Sequence, residues 1–276
     1  MVKGLYTAYT GMINEQHRMD VLTNNLANAN TNGFKKEGTT SQSFSDQLAL
    51  KIKDYTDAPF TARGLGIINP GVKIGEGYVD WSEGPMKETG NKYDMAIGGY
   101  GFFGIEYTNK AKNIERDLPN QTNIMYTRDG NFTVTAEGEL VTQDGDFVLS
   151  QDGGHIELDP SLPVEVSMNG NIVQDGEVVA QIGIFDFEKA TYPDGRISYD
   201  NLEHYGENMY IPVNGANPIE GTGRVYSGFL EQSNVSVVDE MVNMIAVQRN
   251  YDTNQRMITT IDDTLDIAAN QLGRLS

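Results

Sequence analysis

The chain has 276 residues, 38% of them in the hydrophobic class, with 39 acidic against 20 basic side chains and a formal charge of −19. That length allows one large domain or two ordinary ones around a real core, and the apolar content argues against wholesale disorder. Nucleic acid and anionic lipid both select basic surfaces, so a chain this acidic argues against both, and the absence of cysteine removes disulfides, thiolate nucleophiles and zinc ribbons.

The start, Met1 to Tyr6, has one Lys and no apolar run behind it, so no cleaved secretory signal is expected. Leu5, Tyr9, Met12, Met19, Leu22 and Leu26 then recur mostly three or four residues apart, predicting an amphipathic helix. It should stop at the Asn-rich run ending in Asn32-Gly33, where Asn favours turns and Gly allows a left-handed residue. Residues 34–80 read as an extended connector, with residues 43–50 a candidate short helix.

The middle reads as β. Short apolar runs such as Phe132-Thr133-Val134 and Phe147-Val148-Leu149 are separated by Asp-Gly or Asn-Gly at residues 129, 144, 152, 169, 175, 194 and 214, a pattern that predicts antiparallel hairpins over 81–235. The longest apolar stretch, residues 178–185, is far shorter than a membrane span. The C-terminal stretch is helical again. Val237, Met241, Met244, Gln248, Tyr251, Gln255, Ile258, Ile261, Leu265, Ala268 and Leu272 keep a three-four spacing for about five heptads, and Ser236 with Asp239 resembles a capping box.

Charge follows the same division. Of the −19, the first 45 residues contribute +1 and residues 225–276 contribute −4, leaving −16 in between. The expected fold class is therefore α+β. Residues 1–33 and 236–276 form a discontinuous helical assembly domain, paired in a coiled-coil-like core, and 81–235 form a β-rich outer domain. Apolar stripes on two helices must be covered, and sister chains covering them would build a ring or an open filament.

Chemistry finds little purchase. His17, His155 and His204 stand in no recognisable nucleophile setting, and their spacing does not suit zinc. Gly98-Gly99-Tyr100-Gly101 lacks the Lys-Ser/Thr of a phosphate loop, and residues 142–146 lack the frame of a calcium loop. No catalytic residue, metal or cofactor is expected. A secreted β-rich protein that binds or acts on polysaccharide is the alternative from another class.

Four motifs carry a family resemblance. Asn24-Asn25-Leu26-Ala27-Asn28-Ala29-Asn30-Thr31-Asn32-Gly33-Phe34-Lys35 resembles the signature that ends the first helix of bacterial flagellar rod and hook proteins. Tyr93 to Phe103 and Tyr126-Thr127-Arg128-Asp129-Gly130-Asn131-Phe132 are similar to its β-domain motifs. Gly228 to Val235, running into Glu240 to Ile245, is similar to its C-terminal signature. Length and C-terminal wording most resemble the distal-rod branch, with the proximal-rod branch as alternative. Residues 109–123 look like extra length, and 59–68 depart from the expected connector. The resemblance implies a non-enzymatic component of the flagellar basal body, exported by the type III apparatus. It also implies a homo-oligomeric hollow tube that transmits torque, with other rod proteins, the hook protein and surrounding ring proteins as partners.

Overall fold

The three-four periodicity at each end becomes a helix in the computed structural model, which describes residues 2–51, 63–107, 124–191, 197–206, 208–213 and 215–270. Helix α1 is Val2–Ala27. It ends where a turn takes over, with the Thr31 N–H donating to the Asn28 carbonyl at 3.1 Å. Helix α2, Val237–Asn270, has 34 residues and is about 50 Å long. Its start is capped by Ser236, whose hydroxyl accepts the Asp239 N–H at 3.5 Å and whose carbonyl accepts the Glu240 N–H at 3.0 Å. Asp239 and Glu240 also place negative charge at the positive end of the helix dipole.

The chain divides into two compact units. One comprises Met1–Leu26, Glu37–Tyr78 and Ser236–Ser276, and the other Ala27–Lys36 and Val79–Val235. In the helical unit, α1 and α2 approach closely: a Cβ added at Gly4 would stand 3.6 Å from the Ile261 side chain, and one at Gly11 3.0 Å from Asn254. The same unit holds two β ladders. Strand Glu37–Ser43 pairs with Val72–Val79, and Gln47–Lys51 pairs with Arg63–Ile68. This corrects the short helix expected at 43–50. The segment is extended, with Leu48 opposite Ile67, because a helix of about two turns has few internal hydrogen bonds to set against a full ladder.

The β unit is antiparallel throughout its described ladders. Its main sheet runs in the order Leu202–Gly206, Met209–Pro212, Ile124–Thr127, Phe102–Glu106, Phe147–Val148, Leu140–Thr142, Phe132–Val134. Strand Ile184–Asp186 joins it beside Phe102–Glu106. A separate antiparallel sheet of three strands runs in the order Val164–Val166, Asn171–Gln174, Glu177–Gln181. Asp175 and Gly176 have φ of 51° and 85° and close a two-residue hairpin, the geometry that Asp-Gly accepts at low cost. Asn169-Gly170 and Asp144-Gly145 also close antiparallel pairs. Asp129-Gly130 does not: it links Ile124–Thr127 to Phe132–Val134, strands far apart in the sheet order. Asp194-Gly195 and Asn214 lie outside the described residues.

Two apolar clusters fill this unit. One packs Met95, Phe103, Ile105, Phe132, Val148 and Ile172 among its members. The other is aromatic, with Trp81 set edge-on against Phe102 (5.4 Å between centroids) and Tyr199 (5.0 Å).

Candidate functional site

Each unit has an anchor built around the signature motifs. In the helical unit it is Asn25, fully buried on the last turns of α1. Its amide donates to the Glu37 carbonyl at 2.8 Å and accepts the Glu37 N–H at 2.9 Å, holding the start of the first strand as a ladder partner would. The same amide reaches the buried Glu240 carboxylate of α2 at 3.4 Å. One asparagine thus joins both helices and a strand.

The rest of the motif divides between support and exposure. Leu26, Asn28 and Thr31 are half-buried, whereas Ala27 and Asn30 are exposed. Gly33 has φ of +67°, and a Cβ there would fall 2.5 Å from the Arg128 carbonyl carbon, so only glycine fits. Phe34 is buried, and Lys35 follows it into the β unit with 1% exposure.

Lys35 is one corner of a buried charge cluster. Its ammonium donates to Glu231 Oε1 at 2.6 Å and to the Ser82 carbonyl at 2.8 Å. The Arg128 guanidinium donates to Glu231 Oε2 at 3.3 Å, to the Ile97 carbonyl at 3.2 Å and to the Gly99 carbonyl at 2.7 Å. The Gly84 N–H adds a third donor to Glu231 at 3.0 Å. Burial holds the Lys35 ammonium below the ordinary lysine range; the Glu231 charge opposes that shift and the Arg128 charge adds to it. The Gly98–Gly101 bend thus offers the Gly99 carbonyl to a cation, while the Gly99 N–H donates to the Glu83 carboxylate of the same chain.

Charges inside three of the quoted motifs thus meet in space. Reading the sequence missed the cluster: each of Lys35, Arg128 and Glu231 stands inside a quoted motif, but nothing along the chain marks the three as partners. Beside it, burial raises Asp129 to about 6, with the Asn131 N–H opposing and the charges of Asp144 and Asp94 reinforcing the shift.

The expected helical stripe occupies a mixed surface. On α1, Leu5, Met12, Met19 and Leu22 are half-buried and Tyr9 is 51% exposed. On α2, Met244, Tyr251 and Ile258 are half-buried, while Val237, Met241 and Leu265 are exposed. Leu272 lies outside the described residues. Only Glu240 and Val247 of α2 are buried. Three neighbours escaped the sequence reading: Val238 (70% exposed), Val242 and Ile245, which with the expected Met241 stand at i, i+4, i+7 and i+3 on the side away from Val247. Their signal, a second three-four series one residue out of step with the first, lies in the sequence itself.

Among the described residues, no three His, Cys, Asp or Glu side chains are grouped to hold a metal, and no helix is long and apolar enough to cross a membrane. His155 stacks on Phe147 at 4.4 Å and pairs with Glu106 at 2.7 Å on the surface.

Family models match the chain in three separate blocks. Residues 5–35 match the flagella basal body rod protein model, 96–180 the flagellar hook protein FlgE/F/G D1 domain, and 226–272 the flagellar basal body rod FlgEFG protein C-terminal model. The flagellar basal-body rod protein FlgG of Bacillus subtilis (strain 168) is 35% identical, over 98% of this chain and 99% of its own. FlgG of Borreliella burgdorferi is 33% identical over 98% of both chains. The flagellar basal-body rod protein FlgF of Caulobacter vibrioides is 31% identical over 100% of both.

Proposed function

Because the chain belongs to the flagellar basal-body rod protein family, we propose that it is the distal rod subunit, a structural protein that polymerises through its terminal helices into a hollow, torque-transmitting tube. Its place is the flagellar basal body, among other rod proteins and the hook protein. It is a structural subunit, not an enzyme, and the end-to-end family match displaces the polysaccharide-directed alternative.

The observation that carries the reading is the full-length likeness to FlgG relatives, at 35% identity in the Bacillus protein. The helices support it. They approach each other at Gly4 and Gly11, as a coiled-coil-like pair requires, yet α2 leaves Val238, Met241, Val242 and Ile245 open to water. Burying a side chain of that size stabilises by roughly 1.5–3 kcal/mol, and about a dozen such positions over the two helices would outweigh the cost of association and drive polymerisation. Sister copies, contacting through Leu5, Tyr9, Met12, Met19, Leu22, Leu26 and the α2 stripe, are the proposed cover. The acidic β unit then faces outward, toward solvent or a surrounding ring.

Electron microscopy of basal bodies from cells lacking the protein tests the reading. The expected result is a rod that stops short, without a hook; a complete rod and hook would overturn it. The proximal-rod reading is kept by one observation, the full-length match to the Caulobacter FlgF relative. It predicts that the rod stops nearer the membrane.

A further inference from the structure

The strands Met86–Glu88 and Phe229–Glu231 pair antiparallel, with Phe229 opposite Glu88, Leu230 opposite Lys87 and Glu231 opposite Met86. The backbone bonds Thr89 N–H to Gly228 O (2.8 Å) and Gln232 N–H to Pro85 O (2.9 Å) extend the same register by one pair at each end. Register is normally set by which side chains face the core, since a slip of one residue turns every side chain over. That signal is weak here. All three residues of the first strand are exposed, and on the second both Leu230 and Glu231, on opposite faces, are buried.

Polar geometry supplies what apolar alternation does not. Glu231 Oε1 accepts the N–H of Gly84, two residues before the partner strand begins, so the side chain itself measures its position along the facing segment. The same oxygen takes the Lys35 ammonium, the other takes Arg128, and the Glu231 carbonyl accepts the Gly33 N–H at 2.8 Å. A slip of one residue would withdraw the carboxylate that Lys35 and Arg128 share and leave Lys35 with only the weaker influence of Glu83, a far larger penalty than exposing one apolar side chain.

We infer that the Lys35–Glu231–Arg128 cluster is a register lock: it selects one alignment of Phe229–Glu231 on Met86–Glu88, and it closes only with the N-terminal segment 33–35 in place. Stability alone is a different role, since a buried ion pair is often no more stabilising than apolar residues of equal volume.

The chain has no cysteine, so paired cysteines report alignment without background. Glu88→Cys with Phe229→Cys reports the native register; the two residues form a non-hydrogen-bonded pair, the closest kind. Lys87→Cys with Phe229→Cys points to opposite faces in that register and bridges only after a one-residue slip. Each pair is equilibrated in glutathione buffer in the full-length chain, alone and combined with Lys35→Met or Glu231→Gln, while near-ultraviolet circular dichroism follows the Trp81 cluster. The lock predicts that either substitution shifts the native-to-slipped ratio at least tenfold toward the slipped pair, with the aromatic signal kept. An unchanged ratio overturns it. So does loss of the aromatic signal in both substituted chains, which would make the cluster a condition of folding and not of register.

Discussion

A carboxylate taken out of water must be repaid by donors, and Glu231 has three of them at 2.6–3.3 Å. Removing it is therefore worse than never having had it. Glu231→Ala is expected to destabilise the β unit by about 3–5 kcal/mol, read as a lower denaturant midpoint, because Lys35 and Arg128 are left buried and unpaired. Gly33→Ala should cost about 1–3 kcal/mol in the same assay, since alanine resists positive φ and its Cβ meets the backbone of Arg128. Asp129 has the opposite sense. With a folded pKa raised to about 6, the native chain binds its proton more tightly than the unfolded one does. The burial penalty is absent below about pH 4, grows as pH rises toward 6 and is complete above it. Asp129→Asn should thus stabilise the protein at pH 7.5 by up to about 3 kcal/mol and lose that advantage at pH 4, as denaturation at the two pH values will show.

Among elements, α2 is the least secured by its own chain. Ser236 fixes its start and Asn25 ties Glu240, but past Val247 no described residue of the helix is buried. Helices depend on packing of one face more than on intrinsic propensity. In dilute monomer, amides of residues 250–270 are expected to exchange at least a hundredfold faster than those of Phe102–Glu106, and to slow on polymerisation. Equal protection in the monomer would mean that the helix needs no neighbour. Val238→Asp with Val242→Asp should leave far-ultraviolet dichroism of the monomer unchanged and abolish filament formation, measured by sedimentation, because two charges would enter a dry interface.

On the scale of the whole molecule, the division into units gives the two ends unequal roles. Segment Ala27–Lys36 belongs to the β unit, whereas everything from Ser236 onward belongs to the helical one. Deleting residues 237–276 should leave the thermal transition of the β unit within about 2 °C of its full-length value. Deleting 1–36 removes Lys35 and should lower it by about 5 °C or more, as calorimetry will read.

The sequence by itself determined the kinds of element and the family: periodicities of 3.6 and 2, Asn-Gly and Asp-Gly turns, and the four motifs are local or nearly local signals. It also showed charge as a map, with −16 of the −19 between residues 46 and 224. Residues 43–50 escaped it, because a ladder with Arg63–Ile68 depends on a partner segment distant in the chain. Asp129-Gly130 became a link between remote strands for the same reason. Only the tertiary structure decided that Lys35, Arg128 and Glu231 are one site. Their charges, up to 196 positions apart in the chain, answer to distances in space, and no spacing along the sequence encodes those.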